Sequence, residues 1–124
     1  MSLSQRAAAV KASLEAKPGA VGAPLPSASG VVIYKVMGKM FAILTSRRTE
    51  DVILKCDPHL AEIMREQYAG VGHRSHLDRR FWISVNLDAD VPAEEIERLV
   101  AHSYDLVAAK LTRKQRAELA ALSS

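Results

Sequence analysis

An antiparallel α+β domain, with helices against one face of a sheet, is predicted from three features of this sequence. Apolar residues alternate at strand spacing in short runs between Val31 and Leu87. Glycine and charged turns join most of these runs as hairpins. Elsewhere apolar residues recur every three or four positions, the period of amphipathic helices. Helices this few, with strands mostly hairpin-connected, favour one sheet with helices on one side.

The elements follow in order. Ala7, Val10 and Leu14, interleaved with Arg6, Lys11 and Glu15, predict a helix from about Ser4 to Ala16, ended by Pro18-Gly19. Residues 18–30 are mostly small, with only Val21 and Leu25 to bury, and read as a flexible connector. Residues 31–36 and 39–45 are β-rich runs meeting at Met37-Gly38, a hairpin signal. A charged turn, Arg47 to Asp51, leads into a strand where Val52, Leu54 and Cys56 oppose Ile53 and Lys55. Asp57-Pro58 is a helix start, with Leu60, Ile63, Met64 and Gln67 tracing the inner face and Ala69-Gly70 the stop.

Residues 71–77 are too polar to bury and read as an extended arm, turning at Asp78-Arg79 into the strand that carries the one tryptophan. There Phe81, Ile83, Val85 and Leu87 fall on one face, and Trp82, Ser84 and Asn86 on the other. Val91-Pro92 with Glu94 and Glu95 opens a helix burying Ile96, Leu99, Val100, Ser103 and Val107. Thr112 and Gln115 have capping-box spacing for a last helix, with Leu119 and Leu122 inward and Arg113, Lys114 and Arg116 outward. The order is α-β-β-β-α-β-β-α-α.

The 124 residues suit a single domain, 1–124, made of an N-terminal helix (1–17), the connector (18–30) and a main body (31–124). A net charge of +3 permits an anionic partner. One cysteine excludes an internal disulfide and a multi-cysteine zinc site, and Cys56 reads as a buried thiol in a reducing compartment. No apolar run reaches membrane-spanning length and the N-terminus lacks a signal-peptide core, so a cytoplasmic location is expected.

The chain shows no phosphate-binding glycine loop, nucleophile elbow or HExxH. His73 and His76 lack the cysteine or acidic company of a metal site, and His59 reads as a solvated helix residue. His102, Ser103 and Asp105 lie too close on one helix to converge as a triad. Cys56 sits on an apolar strand face, where burial works against a thiolate. No enzyme activity, metal or cofactor is therefore expected.

Four blocks carry a family resemblance: Gly38-Lys39-Met40-Phe41-Ala42, Leu54-Lys55-Cys56-Asp57-Pro58, residues 76–85, and His102-Ser103-Tyr104-Asp105-Leu106-Val107. In this order and spacing, over residues 31–116, the chain resembles the MmcQ/YjbR family. That resemblance implies a fold like CyaY, the bacterial frataxin, with two hairpin wings and a proposed DNA-binding surface on the sheet. The sequence departs from the family in its connector of small residues. It departs from frataxin in its first helix, where Arg6, Lys11 and Lys17 face only Glu15 in place of an acidic iron-binding ridge. Iron delivery is not expected.

The expectation is a nucleic-acid-binding domain, DNA being the partner that the resemblance implies. Lys35, Lys39, Lys55, Arg74, Arg79 and Arg80 would neutralise phosphates, His76 would join them, and Trp82 would stack on a base or sugar. Two alternatives stand beside it. One is a protein-interaction module using the sheet face or edge. The other is a small enzyme or ligand-binding protein with a pocket holding His76, Trp82 and Tyr104.

Overall fold

The computed structural model describes residues 3–74 and 76–122. Helix α1 (Gln5–Ala16) starts where Ser4 Oγ accepts the Ala7 amide, and it buries Ala7, Val10 and Leu14. Strands β1 (Ala20–Pro24), β2 (Val31–Val36), β3 (Lys39–Thr45) and β4 (Asp51–Lys55) follow. Helix α2 (Pro58–Gln67) leads to the short β5 (Val71–Gly72) and to β6 (Trp82–Asn86), and α3 (Ala93–Ala108) and α4 (Arg113–Leu122) close the described chain. Among the described residues the strands form one six-stranded antiparallel sheet in the order β1-β2-β3-β4-β6-β5.

The fold class expected from periodicity is the one observed, with one strand more. Residues 20–24, expected as part of a flexible connector, form edge strand β1, paired with β2 from Ala20↔Val36 to Pro24↔Val32. Its small residues fit the site. A Cβ at Gly22 would sit 2.5 Å from the Tyr34 ring, so glycine lets the two strands close over that ring. Edge position also explains why Val21, expected to be buried, is 66% exposed.

The β2–β3 hairpin turns at Met37 (φ 49) and Gly38 (φ 80), both left-handed, as a tight two-residue turn requires. Beyond it the register shifts at Tyr34/Lys35, since Tyr34 pairs with Ala42 and Lys35 with Met40. Phe41 is the extra residue of this bulge. It is fully buried, and its ring meets Tyr104 of α3 edge to face at 5.4 Å.

One sheet face carries the core. Tyr34, Ala42, Leu44, Val52, Leu54, Ile83 and Val85 line it, joined by Val10 and Leu14 of α1, Ala61 and Met64 of α2, and Leu99, Val100 and Val107 of α3. Burying this set is the main stabilising contribution, at roughly 25 cal/mol per Å² of apolar surface. Tyr34 reaches through to α1, where its hydroxyl donates to Glu15 at 3.2 Å. Burial first, and then the Glu15 charge, push its pKa up to about 12.

Three core assignments are corrected. Phe81 is 38% exposed and precedes β6, because the chain turns at Asp78 with the Phe81 and Trp82 amides both donating to its carbonyl. In α2, Ala61 and Met64 face inward while Ile63 is 40% exposed. In α4, Leu119 is buried but Leu122 is 64% exposed at the end of the described chain. The reciprocal Thr112–Gln115 cap of α4 is present, with bonds of 3.0 and 3.1 Å.

Candidate nucleic-acid interface

The open face of the sheet is set by the register of its central strands. On this side Ile43, Ile53 and Ser84 form one cross-strand row. Nearer the α2 end, two further cross-strand pairs lie on this side, Lys35↔Met40 and Lys55↔Trp82, just past the last β3–β4 pair, Ala42↔Leu54. Neighbouring strands lie about 4.8 Å apart, so Lys35 and Lys55 stand about 10 Å from each other, with Trp82 one strand further.

Lys55 is held in place by Ser103, which is fully buried on α3. The Ser103 hydroxyl donates to Phe41 O at 2.6 Å and accepts the Lys55 amide at 2.9 Å. It thus joins β3 and β4 just beyond Ala42↔Leu54, where their ladder ends beside the β3 bulge. The next residues are tied as firmly. Cys56 N–H donates to Phe81 O at 2.7 Å, Asp57 N–H donates to His102 Nε2 at 3.1 Å, and the Asp57 carboxylate caps α2 through the His59 and Leu60 amides.

These ties enclose a cleft of about 440 Å³ lined by Lys55, Cys56, Asp57, Pro58, Phe81, Trp82, Leu106 and Lys110. The half-buried Trp82 and exposed Phe81 supply aromatic surface; Lys55 and Lys110 supply charge. Cys56 is a buried wall whose thiol is disfavoured as a thiolate: burial, with the Asp57 charge second, pushes it up to about 11. The four sequence blocks that carry the resemblance meet here, through Phe41, Lys55, Asp57, Phe81, Trp82, His102 and Ser103.

Arg65 of α2 fixes the tryptophan from behind. Its guanidinium donates to Arg79 O and Trp82 O, each at 2.8 Å, and to Gly72 O at 3.4 Å. Burial, and then repulsion from Arg79, lower its pKa. Arg79 and Arg80 line an adjoining hollow with Pro58, Glu62 and Glu66, so they face acids of α2 and not the open sheet. Arg80 is paired with Asp78 at 2.8 Å and lies 5.1 Å from the centre of the Phe81 ring. The Asp78 carboxyl is held below its usual range by its hydrogen bonds from Arg80.

The remaining expected site residues are dispersed. Lys39 points to the helix side, where its ammonium donates to Lys110 O at 3.3 Å, because its partner Val36 lies on the core face. His76 is exposed on the arm after β5. Arg74 lines a different cleft, with Arg47 and Arg48. The pocket imagined for His76, Trp82 and Tyr104 does not form: Tyr104 is buried against Phe41 and donates to Pro18 O. Phe81, Lys110 and Arg65 were not anticipated as site residues. The pair Phe81-Trp82 before a strand was the available signal for the first; the other two are brought in by helix packing alone.

Comparison with known proteins agrees with this architecture. The YjbR family profile matches residues 15–106. The chain belongs to the YjbR family. The uncharacterized protein YjbR of Escherichia coli K12 is 32% identical over 83 residues, which are 66% of this chain and 70% of that protein. A crystal structure of a DUF419 protein from Deinococcus radiodurans superposes with a TM-score of 0.79 at 28% identity, covering 90% of this chain and 85% of the other. A Pseudomonas syringae protein shares the fold, with a TM-score of 0.70 at 19% identity over 85% of this chain and 99% of its own. These family names and descriptions carry no activity. Among the described residues no group of three histidine, cysteine or acidic side chains could hold a metal, and no helix is long and apolar enough to cross a membrane.

Proposed function

We propose that this YjbR-family protein is a non-enzymatic, cytoplasmic nucleic-acid-binding domain that takes DNA at the Trp82 end of its open sheet face. The observation that carries this reading is the placing of Lys35, Lys55 and Trp82 on one side of the sheet, with Phe81 and Lys110 across the cleft. Aromatic surface beside lysines suits a strand whose bases stack and whose phosphates need countercharge. A stack on Trp82 or Phe81 is worth roughly 1–3 kcal/mol per base.

The flanking charge is modest. Lys35, Lys55 and Lys110 stand against Asp57, whose carboxylate is already engaged at the α2 cap. Arg79 and Arg80 add less than their number suggests, since Glu62, Glu66 and Asp78 share their surroundings. Phosphate contact is therefore assigned chiefly to the lysines.

Fluorescence anisotropy with labelled duplex and single-stranded oligonucleotides, across a salt series, tests the reading. Trp82→Ala should weaken binding, chiefly of single strands, and leave the salt slope nearly intact. Lys35→Gln with Lys55→Gln should reduce the slope by up to about two units on duplex DNA, at about 0.9 per phosphate contact. No binding of either oligonucleotide at low salt would overturn the proposal and direct attention to the open β1 edge, where exposed Val21 offers an extended partner chain a strand to pair with.

A further inference from the structure

At the other end of the same sheet face, Arg47 and Arg48 of the β3–β4 turn and Arg74 of the arm after β5 line one cleft of about 490 Å³ with Thr45, Thr49 and Asp51. Their convergence is a product of folding, since Arg74 lies 26 positions after Arg48 in the chain. Three arginines on one cleft concentrate positive charge there, which an anion would offset. The one carboxylate in the cleft, Asp51, accepts the Thr49 hydroxyl and keeps its charge, but the three arginines outnumber it, and among the described residues no ion pair engages Arg47, Arg48 or Arg74.

The backbone beneath these arginines is anchored while their side chains are free to meet a ligand. Ser46 N–H donates to Gly30 O at 2.9 Å, and Glu50 both accepts the Ser4 amide and, through its carbonyl, the Leu87 amide. Buried Thr45 forms the floor. Planar guanidinium forks match the oxygen geometry of a phosphate, and the cleft has room for one phosphate or a pyrophosphate.

We infer that Arg47, Arg48 and Arg74 form a phosphate-binding cleft, separate from the Trp82 cleft. Asp51 stands four residues before Lys55 on β4, on the same face, so the two sites are about 13 Å apart along the strand. The phosphate has two sources: the backbone of a nucleic acid already bound at Trp82, which rests on the function proposed above, or a free phosphorylated small molecule, which does not.

Titration of the ¹⁵N-labelled full chain with sodium pyrophosphate at constant ionic strength, followed by amide NMR, tests the cleft. Saturable shifts are expected for residues 45–51 and Arg74. They should weaken at least tenfold in Arg47→Gln/Arg74→Gln, whose spectrum also reports that it is folded, and persist in Arg113→Gln/Arg116→Gln, which removes the same charge from exposed faces of α4. Absent or non-saturable shifts, or equal loss in both double variants, would overturn the inference. Anisotropy on the same proteins separates the sources. A salt slope lower by one to two units in the Arg47/Arg74 variant supports the cleft and assigns it to a nucleic-acid backbone. Saturable pyrophosphate shifts with an unchanged slope, or with no oligonucleotide binding at all, support the cleft and assign it to a small phosphorylated ligand.

Discussion

Replacing Ser103 with alanine removes one oxygen from the interior, and the structure says what that oxygen does. Its hydroxyl donates to Phe41 O and accepts the Lys55 amide, joining β3 and β4 just beyond Ala42↔Leu54, where their ladder ends beside the β3 bulge. Alanine fits the space but leaves both backbone groups without this partner in a site with no solvent exposure. An unsatisfied buried group costs about 1–3 kcal/mol, so the expected loss is about 2–4 kcal/mol, allowing for partial closure of the gap. With a urea m-value of about 2 kcal/mol/M, the unfolding midpoint should fall by about 1–2 M. Urea titration followed by Trp82 fluorescence and by circular dichroism measures this, and the native Trp82 emission should change too, because Lys55 is its cross-strand partner. A midpoint within error of the parent protein would refute the bridging role and, with it, the account of how Lys55 is positioned.

Other expectations follow from single contacts. Gly22→Ala forces a Cβ to within 2.5 Å of the Tyr34 ring, so it should destabilise the β1 edge by about 1–3 kcal/mol and speed proteolysis within residues 20–30; a cleavage rate like the parent's would contradict the packing. Cys56 should react slowly with a disulfide reagent at pH 8 and fast once unfolded, since burial keeps its thiol protonated; equal rates would refute its burial. Asp90 accepts the Gly70 and Ala69 amides, which hold its carboxyl below the usual range. The stability it supplies is fully present above the unfolded-chain value near 4 and is lost as pH falls through the lower folded one. Asp90→Asn should therefore flatten the acid limb of a stability-against-pH curve, and a limb of unchanged steepness would exclude the contact as its source.

Elements with strong periodicity were legible. The spacing of Val10 and Leu14, of Ile96, Leu99, Val100, Ser103 and Val107, and the Thr112–Gln115 cap each report a local arrangement that one short segment enforces. Strand β1 was not legible. Its small residues have little intrinsic preference for extension, and only the Tyr34 ring beneath Gly22 explains why they suit that edge. Phe81 was misplaced for a related reason. Apolar alternation continues one residue beyond the strand, into a turn that Asp78 closes by backbone hydrogen bonds.

The same division runs through the candidate site. Local sequence determined the α+β class, the buried thiol, the helix caps, and the placing of Trp82 and Lys55 on the face opposite the core, because side-chain alternation along a strand depends only on the strand itself. Four sequence blocks also carried the family. Tertiary structure alone decided which charges meet. It turned Lys39 toward the end of α3, set Arg79 and Arg80 against acids of α2, brought Lys110 to the Trp82 cleft and gathered Arg47, Arg48 and Arg74 into another. Such groupings arise from strand register, a bulge and the placing of an arm, which join residues far apart in the chain and leave no pattern in the residues between them.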